Sequence, residues 1–369
     1  MPTSKRLNVA VVGATGMVGQ EILRVLHQRR FPTDRVVALA SERSLGATVP
    51  FGDRSIDVEL LTADSFKGID VALFAASSEI ATTFGPIAAE AGALVIDNSS
   101  AWRMKANVPL VVPEVNSADI SENEGIIANP NCCTIPLTVV LNPLLHEVGL
   151  ERVLVSTYQS ASGAGKALVD ELDRQTKAIA AGTEPQAEVY PHPLAYNVVP
   201  GGWRPEPEGY NEEEVKIVNE TRKILHLPGL RIAATCVRVP VPVGHGESVF
   251  VETKRAISAA EARALLERAP GVVVQDDPEA KLYPTPYRIA GSDEVYVGRI
   301  RNDPSTDHGL ALWIVSDNLR KGAALNAVQI AEEAIRVGVL EQARHAWPPA
   351  AEREVRQAGA GAGIRRRIE

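Results

Sequence analysis

The sequence predicts an α/β fold in two parts, a mainly parallel sheet wrapped by helices and then an α+β domain. Three observations carry this expectation. A glycine-rich turn sits between an apolar strand and a helix near the start, strand and helix patterns alternate up to Pro130, and long apolar β runs follow.

Leu7–Val12 reads as a buried strand halted by glycine, and Gly13-Ala14-Thr15-Gly16-Met17-Val18-Gly19 follows it. From Glu21 to Arg30, the apolar residues Ile22, Val25 and Leu26 recur at helical spacing, and Arg35–Ala40 forms the second strand of a βαβ unit. Val71–Ala76, Ala93–Ile96, Leu110–Val112 and Ile126–Ala128 continue the alternation, which implies a parallel sheet covered on both faces. A helix is expected to start just after Cys132 and run through Leu144 and Leu145. Beyond it, Arg152–Tyr158, Ala233–Val243, Ser248–Thr253 and Val295–Ile300 read as long strands, and Tyr190 to Tyr210 as a Pro- and Gly-rich loop. Lys321 to Val337 is helical, with Leu325, Val328, Ile330 and Ile335 apolar, and is expected to pack back on the first domain. The predicted division is therefore 1–131 completed by a helix at 321–345, then 132–320, with 346–369 a flexible tail of Pro, Ala, Gly and charge.

A chain of 369 residues is long for one compact core, so two domains agree with its size. A net charge of -8 argues against general binding to nucleic acid or an anionic membrane. The polar start offers no secretory signal, and no uncharged apolar run reaches the roughly 18 residues of a spanning helix. The cysteines number 3, an odd count, and Cys132 and Cys133 are adjacent, so a reduced cytoplasmic setting is expected in place of a disulfide framework.

Gly13, Gly16 and Gly19 stand where a dinucleotide-binding turn needs them: for the tight turn, for close approach to a pyrophosphate, and for helix–strand packing. This makes the first domain Rossmann-type. Thr15, Met17 and Val18 fill the same turn, whose helix N-terminus offers free N–H groups to phosphate. At the end of the second strand stand Ser41, Glu42, Arg43 and Ser44. Arg43 can pair with a 2′-phosphate and Ser41 and Ser44 can donate to it, which favours NADP over NAD, although Glu42 does not suit that role.

Asn129-Pro130-Asn131-Cys132-Cys133-Thr134 places a thiol at a strand-to-helix junction, where the helix dipole favours the thiolate. A thiohemiacetal or acyl-transfer mechanism then needs a proton-exchanging group, support for the oxyanion and a cation for an anionic substrate. Arg238 and His245 lie at opposite ends of one strand-to-turn segment, and Gln159 ends a strand that runs into the Ser160–Gly165 turn. Cys236, inside an apolar strand, reads as an inert core residue. No His, Cys or carboxylate group has metal-ligand spacing, so no metal is expected.

The glycine turn, Asn131-Cys132, Tyr158-Gln159 with its Ser-Gly turn, Arg238, His245 and Asp317-Asn318-Leu319-Arg320-Lys321-Gly322-Ala323-Ala324, taken in order over roughly residues 7 to 340, resemble the aspartate-semialdehyde dehydrogenase family. The resemblance implies a catalytic and dimerisation role for the second domain and a homodimer, possibly a tetramer. It implies Cys132 as nucleophile, His245 as acid/base and Gln159 as the group orienting the intermediate. Arg238 would clamp the substrate carboxylate, Glu213 would meet its amino end, and Arg103 and Lys216 would bind phosphate. Ser162 and Gly163 would bind the cofactor, and Asn318 and Gln329 would lie near the nicotinamide. The implied reaction is the reversible NADPH-dependent reduction of L-4-aspartyl phosphate to L-aspartate 4-semialdehyde and phosphate, on the way to lysine, threonine, methionine and diaminopimelate. Two features depart from the family pattern: Cys133 stands where Ser or Thr is usual, and Pro200-Gly201-Gly202-Trp203-Arg204-Pro205 replaces a His-Ile-Asp type segment. The alternatives are an acyl-CoA reductase of the malonyl-CoA reductase type on the same scaffold, and a non-catalytic nucleotide-binding paralogue.

Overall fold

The computed structural model describes residues 6–340; the expected tail and the end of the helix predicted over 321–345 lie outside them. The first half comprises β1 (Leu7–Val12), α1 (Met17–Gln28), β2 (Thr33–Ala40), β3 (Thr48–Phe51), β4 (Arg54–Leu60), β5 (Val71–Phe74), α2 (Ser78–Glu90), β6 (Leu94–Asp97), α3 (Pro113–Asn116) and β7 (Ile126–Ala128). Its strands form a seven-stranded sheet in the order β3-β4-β2-β1-β5-β6-β7. Every pairing is parallel except that of the β3–β4 hairpin, which the apolar pattern does not signal. The chain crosses from one side of β1 to the other between β2 and β5, which opens a crevice at the carboxyl end of β1, beside Gly13. The expected strand at Leu110–Val112 shrinks to a single bridge from Leu110 to Ala128, since Pro109 and Pro113 flank it.

The second half contains α4 (Thr134–Val148), β8 (Leu150–Gln159), α5 (Lys166–Ala180), α6 (Glu212–Ile224), β9 (Arg231–Arg238), β10 (His245–Thr253), α7 (Ala259–Leu266), β11 (Val272–Val274), α8 (Pro286–Ile289), β12 (Val295–Asp303) and β13 (Gly309–Ser316). They build a six-stranded mixed sheet in the order β11-β12-β13-β10-β8-β9. Strand β9 stops at Arg238, short of the expected Val243, because Pro240 and Pro242 cannot donate to a ladder. Helices α4, α6 and α7 pack on this sheet. Alternation along β8 and β10 buries Val153, Val155, Val249 and Val251, and it leaves Leu154, Tyr158 and Phe250 36–38% exposed.

One π-helical turn (Arg320–Ala324) leads into α9 (Leu325–Arg336). Helix α9 packs on the first sheet: Leu325, Val328, Ile330 and Ala331 share a core with Val9, Val11, Leu73 and Ile96. The helix ends at Arg336, just before Gly338 at φ +77°. Among the described residues no helix is long and apolar enough to cross a membrane.

Candidate functional site

Strand β7 delivers the chain to Asn129, and α4 begins five residues later at Thr134. Just ahead of that helix, Asn131 Oδ1 accepts from the Cys133 N–H at 2.8 Å, a bond contributing about 1 kcal/mol. This bond holds both thiols at the positive end of α4. Cys132 lines the cleft between the two halves, whereas Cys133 is fully buried. The side chain of Cys133 donates to Cys132 and is the largest influence holding that thiol well below its ordinary range; burial opposes it, and His245 and Arg238 reinforce it. Burial pushes Cys133 well up, as it does the neighbouring Glu247 carboxyl. The thiol favoured toward ionisation is therefore the one that faces the cleft.

His245 starts β10 and is 1% exposed. The Ser160 backbone N–H donates to its Nδ1 at 3.0 Å, so a neutral ring carries its proton on Nε2. Among the described residues that Nε2 has no geometric hydrogen-bond partner, and the ligand atoms of His245, Cys132 and Cys133 all lie within 4.8 Å of one another. Arg238 ends β9; its Nη1 donates to the Ser160 carbonyl at 2.7 Å. Gly163 closes this corner. A Cβ there would lie 2.9 Å from Arg238 Nη1 and 3.1 Å from His245 Nε2, so a larger residue would press on both side chains. Gln159 is buried at the end of β8, its Nε2 donating to Glu213 Oε1 at 3.3 Å.

Helix α6 supplies the polar wall. Glu213, Ile217, Glu220 and Ile224 share its buried face, so two carboxylates occupy positions usually given to core residues. Glu213 accepts from Asn131 Nδ2 at 2.8 Å and lies 3.5 Å from Lys216. Glu220 pairs with Arg103 at 3.0 Å and accepts the Asn131 N–H at 2.7 Å. Burial raises the Glu220 carboxyl, and Arg103 opposes that shift. Arg103 also donates to the carbonyls of Asn129 (3.0 Å) and Asn98 (2.7 Å), so its place at the cleft wall is fixed.

Val18, within the glycine turn, lines the same cleft. Gly13 and Gly19 have no room for a side chain, against Ala75 and Gly13 respectively, while Gly16 meets only one carbonyl at 3.4 Å. No side chain caps α1 and no acid occupies its first turn, which suits an anionic ligand. Ser44 reaches the turn, its Oγ 3.2 Å from Thr15 Oγ1. Ser41 and Arg43 are exposed beside it. Asn318 Oδ1 accepts from Gly244 N at 2.8 Å and from the Ser160 and Ser162 hydroxyls at 3.1 Å each, on the cleft wall.

The fold thus brings Cys132, Gln159, Ser162, Gly163, Arg103, Glu213, Lys216, Arg238 and Asn318 to one cleft, with His245 behind it. One expectation changes: Gln329 bonds Lys321 at 2.7 Å and Glu114 at 3.1 Å and does not line the cleft. The turn before β10 swings His245 against the two sulfurs, a juxtaposition that sequence spacing does not show. The residues that spacing does not reveal are Glu220, Glu247 and the π-turn glycine Gly322, whose Cβ would sit 3.1 Å from that of Cys132. For Glu220 a signal exists: a second acid seven residues after Glu213 on an apolar helix face.

Residues 8–123 match the family model described as semialdehyde dehydrogenase, NAD binding domain, and residues 141–321 match semialdehyde dehydrogenase, dimerisation domain. The aspartate-semialdehyde dehydrogenase of Aquifex aeolicus is 50% identical over 336 residues, covering 90% of this chain and 99% of its own. The solved structure of aspartate semialdehyde dehydrogenase II from Vibrio cholerae complexed with ASA gives a TM-score of 0.88 at 46% identity, covering 90% of this chain and 99% of its own. The structure of the Candida albicans enzyme with NADP gives 0.71 at 25% identity, covering 89% and 98%. Identity of this depth runs through both halves, and the chain belongs to the aspartate-semialdehyde dehydrogenase family.

Proposed function

We propose that the cleft interconverts L-4-aspartyl phosphate and L-aspartate 4-semialdehyde through a thioester on Cys132, with NADP as its nucleotide. The observation that carries this reading is the Cys132 sulfur, placed at the start of α4, facing the cleft and within 4.8 Å of a His245 ring nitrogen. In the reductive direction the thiolate attacks the acyl phosphate carbon, and phosphate leaves toward Arg103 and Lys216. When bound, the nicotinamide supplies the hydride that reduces the thioester. His245 Nε2 donates its proton to the thiohemiacetal oxygen as that oxygen gains charge, then takes it back as the C–S bond breaks and the aldehyde departs. Gln159 orients the acyl group, Arg238 holds the substrate carboxylate and Glu213 meets the ammonium. The chain is thereby an oxidoreductase of amino-acid biosynthesis.

The uncapped α1 and its glycine turn would hold the pyrophosphate, and Arg43 with Ser41 and Ser44 the 2′-phosphate. Ser162, Gly163 and Asn318 would meet the nicotinamide end. The Candida albicans relative, whose solved structure is with NADP, supports this choice of nucleotide. The division into 1–131 with the closing helix and 132–320 is part of the proposal, as is a homodimer formed through the β8–β10 face that exposes Leu154, Tyr158 and Phe250. Steady-state NADP reduction with aspartate semialdehyde, with and without phosphate and alongside NAD, tests the reading. Phosphate-dependent turnover preferring NADP is expected, and turnover indifferent to phosphate would instead indicate an acyl-CoA reductase.

A further inference from the structure

The Tyr190–Tyr210 loop takes no part in the chemistry above, yet it is fastened to the cleft. Val199 and Arg238 exchange both backbone hydrogen bonds at 2.9 Å. The Tyr190 hydroxyl donates to the Gly201 carbonyl. Gly202, at φ +93°, leaves no room for a Cβ, which would fall into the Tyr190 ring. These constraints carry Trp203 onto Arg238, with the guanidinium carbon 4.8 Å from the indole ring centroid and 5.6 Å from that of Tyr190. Arg238 is 2% exposed, donates through Nη1 to the Ser160 carbonyl, and has no hydrogen-bond partner for Nε among the described residues. The bond to Ser160 leaves the guanidinium free to tilt about Nη1, and the two aromatic rings restrict that tilt, because a guanidinium over a ring face favours lying parallel to it with its edge left to meet an anion. Trp203 also lines the cleft beside Cys132 and Arg238.

We infer that Trp203 is a specificity-determining positioning residue: by stacking on Arg238 it sets the plane in which the guanidinium receives a substrate carboxylate, and so favours aldehydes that carry one. This rests on Arg238 being the carboxylate clamp. A two-pronged carboxylate–guanidinium pair needs coplanarity, which a mobile Arg238 would provide only part of the time.

The test uses full-length Trp203→Ala, Trp203→Phe, Trp203→Leu, Arg238→Ala and the Trp203→Ala/Arg238→Ala double variant. KM and kcat are measured for aspartate semialdehyde and for propanal, which lacks the carboxylate. Trp203→Ala is expected to raise the semialdehyde KM about tenfold, keep kcat within about threefold, and lower the semialdehyde-to-propanal preference by the same tenfold. Trp203→Leu, which fills space without a π face, should resemble Ala, and Trp203→Phe should recover most of the loss. In the Arg238→Ala background, removing Trp203 should add nothing. If Arg238→Ala raises KM while Trp203→Ala and Trp203→Leu leave KM and preference unchanged, the inference is overturned. If Arg238→Ala itself leaves the semialdehyde KM unchanged, it is the clamp reading that fails.

Discussion

Substituting Gly163 by alanine should disable catalysis while leaving the fold intact, and a neighbouring glycine provides the opposite case. The added methyl would sit 2.9 Å from Arg238 Nη1, 3.1 Å from His245 Nε2 and 3.2 Å from its Cε1. Neither side chain can step aside freely, because Nη1 is bonded to the Ser160 carbonyl at 2.7 Å and Nδ1 receives the Ser160 N–H at 3.0 Å. Relief requires the imidazole or the guanidinium to shift by several tenths of an ångström. Displacements of about 1 Å at reacting groups lower rates about 100-fold, or about 2.7 kcal/mol of transition-state stabilisation. Gly163 does not adopt a positive φ, so the backbone accepts alanine, and the stability change should stay near 1 kcal/mol. Gly165 is the reverse: φ is +91° and nothing lies within 4 Å of a Cβ there. Gly165→Ala should lose about 1–2 kcal/mol of stability and keep its activity. Steady-state kcat/KM and urea unfolding of both variants decide the matter. Gly163→Ala with kcat/KM within threefold of the parent would refute this account of the cleft.

Iodoacetamide should label Cys132 in preference to Cys133, as read by peptide mass spectrometry. Because the Cys132 thiol is lowered, its thiolate persists as pH falls through the ordinary thiol range near pH 8.5 and is lost only further down; Cys133→Ala should move the alkylation midpoint upward, and Cys133→Ser should largely restore it. Glu220→Ala leaves the Arg103 guanidinium buried without its partner, so we expect a loss of about 3–5 kcal/mol in unfolding experiments and a raised KM for phosphate in the oxidative direction. Arg43→Ala should raise the KM for NADP about tenfold and leave that for NAD unchanged; equal effects on the two would remove Arg43 from the 2′-phosphate site.

Much of the fold is legible in the sequence because burial leaves a periodic trace. The parallel core strands β1, β2, β5, β6 and β7 are apolar runs, and the glycine turn sits where a strand gives way to a helix. The sequence is mute where burial and polarity conflict. Helix α6 hides Glu213 and Glu220 on its inward face, so its pattern is blurred. Strand β13, a continuous apolar run from Gly309 to Ile314, is as compatible with a buried helix as with a strand. The chemistry divides in the same way. Cys132 can be read from its junction, whereas the pairing of Arg103 with Glu220 spans 117 positions and the stacking of Trp203 on Arg238 depends on a loop with no period.

The acyl-enzyme itself provides the most direct test. Mixing the protein with aspartate semialdehyde and NADP without phosphate should release close to one NADPH per chain in a burst, as the Cys132 thiolate adds to the aldehyde and the adduct loses hydride. Intact-protein and peptide mass spectrometry should then find one aspartyl group on Cys132, and added phosphate should discharge it and start turnover. A full burst from Cys132→Ala, or the aspartyl group on Cys133, would contradict the account.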